Sequence, residues 1–369
     1  MKLFVLKEHE DDSRVSITPD IAKKLLDLGQ EVYVEKSAGE MAGFRDTDYE
    51  TIGCSIVSRK IINTADVVLA VNPISYKEKL KSDAIVISLQ EPYFNLEKIK
   101  LAKEKNIIIF ALDLIPRTTR AQYMDVLSSQ SSLAGYKAIV EAAHLLNRGL
   151  PLMMTSAGTI PAAKTLVIGA GVAGLQAIAT AKRLGAVVSA FDVRASAKEQ
   201  VESLGAKFIE VESNEKTDGV YAKEMSEAYK KAQEEKLRSV IAQQDIIVTT
   251  AQIPGKKAPV IIKVNMISSM KKGAVIIDLA SKTGGNCELT RHGEIIENNG
   301  VKIVSFDNIL NLIAYDASRL FAKNICAFFE LLKQEIDKVG SIIQIEDEII
   351  KATLLTCNGT IVNEKFKGE

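Results

Sequence analysis

Residues that ligate metals or build disulfides are scarce: four cysteines and three histidines in 369 residues. Cys54, Cys287, Cys326 and Cys357 are scattered with no C-x-x-C pair, which excludes a thiolate metal site or a disulfide frame and reads as reduced, mostly buried thiols of a cytosolic protein. His9, His144 and His292 are far apart, and no metal is expected. An excess of one charge is also missing. Lys+Arg and Asp+Glu are each 47, so nothing in the balance points to nucleic acid or an anionic membrane surface. No long uninterrupted apolar run exists. The most apolar window, residues 150–181, carries Lys164 with several glycines and prolines, which argues against a membrane span. The opening Met1-Lys2-Leu3-Phe4 reads as a strand followed by charge, not as a signal or transit peptide.

What is present is an ordinary globular composition, 47% hydrophobic and 25% charged, in a chain long enough for two domains. The N-terminal third alternates strands (3–6, 31–34, 66–71, 84–89, 107–112) with helices near 19–28 and 96–105, the first opened by Thr18-Pro19 and stopped by Gly29. That is βαβ patterning and predicts a parallel sheet. A long helix is expected over 131–148, with Ser131 or Ser132 as N-cap and Gly149 and Pro151 behind it. Six further strands are expected at 165–168, 187–191, 207–209, 246–249, 274–278 and 302–306, followed by a helix over about 317–339 and a hairpin around Asn358-Gly359. The expected fold class is α/β: two doubly wound Rossmann-like domains with parallel sheets, linked by long helices, with a cleft between them. The expected domains are 1–127 plus 316–369, and 128–315.

The richest motif is Lys164-Thr165-Leu166-Val167-Ile168-Gly169-Ala170-Gly171-Val172-Ala173-Gly174, a strand running into G-x-G-x-x-G and then a helix. Gly169 permits the tight turn, Gly171 lets backbone approach a pyrophosphate, and Gly174 allows close helix–strand packing. Phosphates would sit on the N-terminus of the helix opened by Val172 and Ala173. A second strand, 187–191, ends in Asp192, 23 positions after Gly169 (192 minus 169), where an acid can accept from a ribose hydroxyl. Together these features point to a dinucleotide. A polar stretch, 214–220, precedes a charged helix expected over 221–243; it is long for a βα connection and suggests a flap.

A second candidate constellation runs from Pro116 to Tyr136. Arg117, Gln122, Asp125 and Ser128 offer donors and acceptors suited to a carboxamide and ribose hydroxyls, and they equally suit a polar loop with a capped helix start. The string Arg120-Ala121-Gln122-Tyr123-Met124-Asp125-Val126-Leu127-Ser128-Ser129-Gln130-Ser131-Ser132-Leu133-Ala134-Gly135-Tyr136 resembles a signature of the proton-translocating NAD(P)+ transhydrogenases, in their NAD(H)-binding first domain. So do Phe191-Asp192-Val193-Arg194, Ile253-Pro254-Gly255-Lys256, Gly284-Gly285-Asn286-Cys287 and Phe321-Ala322-Lys323-Asn324, and the likeness spans essentially the whole chain.

The resemblance implies that Arg117, Asp125 and Ser128 hold the nicotinamide end of NAD(H) and that Gln122 bridges towards the second nucleotide. Gly169, Gly171, Val172, Ala173, Gly174, Asp192, Val193, Arg194, Ala251 and Gln252 would line the cofactor. Residues 219–224 around Tyr221 would form a loop closing over it. It further implies a homodimer, an NADP(H)-binding β subunit and a membrane-spanning subunit that moves the proton, with this chain cytoplasmic and peripheral on the inner membrane. Two positions are notable. Gln252 stands where an apolar residue is expected beside the nucleotide, and Arg194 could attract a 2′-phosphate, although Asp192 favours NAD(H) over NADP(H).

Alanine dehydrogenase is a related family and the alternative reading, acting alone on an amino acid. Its histidine, lysine and aspartate fall here on Gln90-Glu91-Pro92, on Val71-Asn72-Pro73 and on Lys282, and its carboxylate-binding arginine matches Arg14. Direct hydride exchange between two nicotinamides needs no such acid/base set. A third reading, a nucleotide sensor, would bind NADH without transferring anything.

Overall fold

The computed structural model describes residues 1–76, 79–210 and 227–367. Tyr221 and the loop expected over 214–224 lie outside the described residues. The chain divides into two units, Met1–Gln130 with Leu310–Glu369, and Ser131–Ile309.

The first unit begins with β1 (Lys2–Val5), α1 (Pro19–Asp27), β2 (Glu31–Glu35), α2 (Asp46–Glu50), β3 (Ser55–Val57), β4 (Val67–Leu69), β5 (Ile85–Ser88), α3 (Leu96–Glu104) and β6 (Ile108–Ala111). Strands 67–69 and 108–111 are apolar on both faces, as a parallel sheet covered on both sides requires. Alternate residues feed two cores: Leu3 and Val5 join one, Phe4 and Leu6 the other.

Helix α4 runs Val126–Leu145, starting five residues before the expected start at 131 (131 minus 126). The cap responsible is Asp125, whose Oδ1 accepts from the Ser128 backbone N–H at 2.9 Å, the N-cap to N3 bond that the later serines were expected to supply.

The second unit opens with an antiparallel hairpin, β7 (Met153–Thr155) and β8 (Gly158–Ile160), that the sequence reading did not expect. Then come β9 (Lys164–Ile168), α5 (Val172–Arg183), β10 (Val187–Phe191), α6 (Ala197–Ser203), β11 (Lys207–Phe208), α7 (Glu227–Ile241), β12 (Ile246–Thr249), α8 (Val264–Ile267), β13 (Val275–Asp278), β14 (Ile295–Asn298) and β15 (Val301–Val304). The sheet order is β11-β10-β9-β12-β13-β15-β14. All neighbours pair in parallel except β14, which pairs antiparallel with β15 through an Asn299-Gly300 turn whose φ values are both positive.

The chain returns to the first unit through α9 (Ala314–Val339), α10 (Glu348–Thr353), β16 (Leu354–Cys357) and β17 (Thr360–Ile361). The first sheet is ordered β17-β16-β6-β5-β4-β1-β2-β3, with β16 antiparallel to β6. In α9 the buried stripe Phe321, Ile325, Phe328 and Leu332 repeats at helical spacing and packs into the first core. Both sheets reverse direction of growth beside their first strand, at β1/β4 and at β9/β12, which is where doubly wound sheets open a crevice. No helix of the described residues is long and apolar enough to cross a membrane.

Candidate functional site

In the second unit the glycine turn lies at the C-terminal end of β9. Gly169 has φ +95°, a left-handed conformation that excludes most side chains, and a Cβ there would meet Thr250 Oγ1 at 2.6 Å. A Cβ on Gly174 would fall 1.8 Å from the Gly169 carbonyl oxygen. Only glycine lets the first turn of α5 come this close. Gly171 differs: nothing lies within 4 Å of its Cβ position, so its bareness serves open space rather than packing. That space stands before the N-terminus of α5, whose first backbone N–H groups have no partner within the helix. Such an arrangement fits a diphosphate.

From the other side α5 is pressed by α4. A Cβ on Gly135 would meet the Ala173 carbonyl oxygen at 2.0 Å and the Ala173 carbonyl carbon at 2.8 Å. Thr250, at the end of β12, donates its hydroxyl to the Gly169 carbonyl at 2.9 Å and closes the turn's third side.

Asp192 ends β10 with its carboxylate fully engaged. Oδ2 accepts from the Ala170 N–H at 2.7 Å and Arg194 Nη2 at 3.0 Å; Oδ1 accepts from the Arg194 N–H at 2.8 Å and Nε at 3.0 Å. Burial opposes its charge, but these bonds and the Arg194 guanidinium outweigh burial and hold the carboxyl below the usual range. Arg194 is thereby neutralised, and its Nη2 also reaches the Ala170 carbonyl at 3.3 Å. Val193 between them packs against the core.

The segment after β12 is held from β13's loop. Asn286, fully buried, accepts from the Ala251 N–H at 2.9 Å and donates to the carbonyls of Ala251 at 2.8 Å and Pro259 at 2.9 Å. Asp278 in turn accepts from the Asn286 N–H at 2.8 Å. Gln252 is exposed and donates to the Leu279 carbonyl at 3.2 Å.

In the first unit, residues 117–128 run through a short 3-10 helix, Thr119–Met124, into α4. Ala121, Met124 and Val126 are buried and anchor it; Arg117, Gln122 and Tyr123 are exposed. Asp125 and Ser128 are brought together: the Ser128 hydroxyl donates to Asp125 Oδ2 at 2.6 Å. Arg120 instead pairs with Asp347 at 2.6 Å.

The positions that would bear acid/base residues in the dehydrogenase carry internal polar networks. Arg14, 5% exposed, forks onto Asp12 through Nε at 2.9 Å and Nη2 at 2.6 Å, and its Nη1 donates to Gln130 Oε1 at 2.9 Å. Asn72 Nδ2 donates to Asp12 at 2.8 Å and to Glu8 at 3.0 Å, while Glu8 also accepts from the Val71 N–H at 2.6 Å. Burial pushes the Glu8 carboxyl up to about 7. Gln90, fully buried, accepts from the Tyr76 hydroxyl at 3.1 Å and donates to Ser88 at 2.7 Å. All four cysteines are buried, and no His/Cys/Asp/Glu group among the described residues could hold a metal. Sequence reading missed Gly135, Thr250 and the bracing role of Asn286. Of these, Gly135 and Asn286 fell in motifs already singled out, without a packing role, and Thr250 did not.

Compared with known proteins, residues 4–134 match the family described as alanine dehydrogenase/PNT, N-terminal domain, and residues 138–364 match the C-terminal domain of the same family. The chain is 46% identical over 374 residues to the first segment of a split NAD(P) transhydrogenase subunit alpha from Rickettsia prowazekii, covering 98% of this chain and 96% of that one. A solved transhydrogenase from Sinorhizobium meliloti is 45% identical, with TM-score 0.89 over 98% of this chain and 100% of that one. An L-alanine dehydrogenase structure shares the fold at TM-score 0.81 over 99% and 98% of the two chains, with 21% identity.

Proposed function

This chain belongs to the alanine dehydrogenase/PNT family, among its NAD(P) transhydrogenase α subunits, and from that premise we propose that it binds NAD(H) and exchanges a hydride directly with NADP(H) held on a partner subunit. A separate membrane-spanning subunit would couple that exchange to proton movement, with this chain peripheral on the cytoplasmic side. When bound, NAD(H) supplies the hydride or the carbon that accepts it.

The chain's own residues position and select. Gly169, Gly171, Val172, Ala173 and Gly174 offer a backbone cradle for the diphosphate, and Asp192 and Val193 take the adenosine ribose. Ala251 and Gln252 line the same nucleotide. The Asp192–Arg194 fork favours NAD(H), because Arg194 is already neutralised and a 2′-phosphate would meet the carboxylate. Arg117, Gln122, Asp125 and Ser128 serve the nicotinamide end, with Gln122 towards the second nucleotide. Tyr221, outside the described residues, keeps its assigned place in the closing loop.

One observation carries the choice over amino-acid oxidation. Arg14, Asn72 and Gln90 are occupied by Asp12, Gln130, Glu8, Tyr76 and Ser88, so the carboxylate-binding cation is already paired and amides stand where the dehydrogenase's histidine and lysine would be. Transfer between two rings asks for positioning alone. A homodimer is supported by the β7–β8 hairpin, where Leu152, Met154 and Ile160 are 59, 78 and 39% exposed; a lone two-stranded ribbon with such a surface fits burial against a second copy.

The test mixes the full chain with the NADP(H)-binding subunit of a relative and follows reduction of an oxidised NAD analogue by NADPH. Exchange requiring both proteins is expected, with no NADH oxidation by the chain alone with pyruvate and ammonia. NADH binding without exchange would leave a sensor; amino-acid oxidation unaided would make it a dehydrogenase.

A further inference from the structure

We propose that Asn324 is a positioning residue for the segment 117–128: its buried carboxamide ties the Tyr123 carbonyl to the Ser129 hydroxyl and so fixes the groups assigned above to the nicotinamide. This rests on that assignment and goes beyond it, since Asn324 sits on α9, about 200 residues away along the chain.

The geometry is specific. Asn324 Nδ2 donates to the Tyr123 carbonyl at 2.7 Å, and its Oδ1 accepts from the Ser129 hydroxyl at 2.7 Å. The side chain bridges two turns of backbone: the end of the 3-10 helix Thr119–Met124 and the first turn of α4. Between them lie Met124, Asp125, Val126, Leu127 and Ser128. A second tie comes from the same face of α9. Gln130 Nε2 donates to the Ala317 carbonyl at 3.0 Å, seven positions before Asn324 (324 minus 317), two helical turns away. Gln130 is itself gripped by Arg14 at 2.9 Å.

Such bracing answers a local weakness. A 3-10 helix has strained hydrogen bonds, and its last carbonyls have no partner within it. The Tyr123 carbonyl is one of these, and Asn324 supplies its donor. Gln122, one residue earlier, is exposed, so the backbone on which it stands is what fixes its place. Hydride exchange is steeply sensitive to placement; a displacement of about 1 Å can lower a rate by about a hundredfold. Loosening this segment should therefore reduce transfer far more than binding.

The experiment compares the full chain with Asn324→Ala, Asn324→Asp, Ser129→Ala and Ser129→Thr. Asn324→Asp keeps the acceptor for Ser129 but turns an oxygen towards the Tyr123 carbonyl. Ser129→Thr keeps the hydroxyl and serves as the rescue. Three quantities are read: amide hydrogen exchange of peptides covering 118–129, NADH affinity by its fluorescence, and transfer with the NADP(H)-binding partner. Both Asn324 variants and Ser129→Ala should exchange faster in that peptide and transfer about tenfold slower or worse, with NADH affinity within about threefold of the parent. Ser129→Thr should stay near the parent in all three. Unchanged amide exchange in the folded variants would overturn the bracing. Faster exchange with parental transfer would make the contact structural only. If the parent itself transfers nothing, the functional assignment falls and takes the link to chemistry with it, while amide exchange still decides whether Asn324 holds the segment.

Discussion

Replacing Gly135 by alanine sets two effects of opposite sign against each other. Gly135 lies inside α4, where alanine is favoured over glycine by about 1 kcal/mol through helix propensity alone. The added methyl, however, would sit 2.0 Å from the Ala173 carbonyl oxygen and 3.0 Å from the Ala173 Cα. Those atoms are backbone and cannot rotate away, so α4 and the first turn of α5 must part by more than an ångström. Overpacking of this kind costs about 1–3 kcal/mol. With so deep an overlap against backbone the steric term wins, and the difference of the two is a net loss of up to roughly 2 kcal/mol in stability. The displaced turn carries Val172, Ala173 and Gly174, so NADH affinity should fall about tenfold, equivalent to about 1.4 kcal/mol. Fluorescence titration with NADH and thermal unfolding measure both. A Gly135→Ala protein that is more stable than its parent and binds NADH equally well would refute the close approach of the two helices. Gly171→Ala is the matched contrast: its methyl enters empty space, so stability should hold while NADH affinity drops, and a loss of both would show that the space is not reserved for a ligand.

Two further outcomes are expected. Asp192→Asn leaves Arg194 without its counter-charge; NADH binding should weaken by about 1–3 kcal/mol and the preference over NADPH should narrow. Unchanged affinity for both nucleotides would remove Asp192 from ribose recognition. Glu8 gives a pH dependence. Burial raises its carboxyl from 4.5 to about 7, so the folded chain binds this proton more tightly than the unfolded chain does. Its contribution is full below pH 4.5 and is lost as pH rises to about 7, a decline of up to about 3 kcal/mol. Asp12, held below its usual value because Arg14 outweighs burial, acts oppositely and only at more acid pH. Denaturant unfolding from pH 5 to 8 should show a slope that Glu8→Gln flattens; identical slopes would discount Glu8.

Local signals carried much of this fold. The period-two and apolar runs marked most strands, and the glycine spacing with Asp192 marked the turn, because each depends on neighbours within about 25 residues. The errors were local competitions. Ser131 and Ser132 drew the start of α4 downstream, although Asp125 with Ser128 forms the actual cap. Asn299-Gly300 is as clear a hairpin signal as Asn358-Gly359, yet no strand was expected over Ile295–Asn298 before it. The β7–β8 ribbon was hidden because Met153, Met154 and Ile160 show no buried-against-exposed alternation. Gly135, Asn286 and Asn324 could not be read as braces at all, since their partners Ala173, Ala251 and Tyr123 lie 38, 35 and 201 positions away.

The saturated carboxylate at the end of β10 has a consequence for how a ligand could be recognised there. Every oxygen lone pair facing the turn already has a donor, so an incoming ribose must exchange places with one of them rather than add to the set. Swapping one hydrogen bond for another yields discrimination more than tightness. The closed ion pair also projects little field into solvent, so added salt should leave this end of the nucleotide's affinity almost untouched.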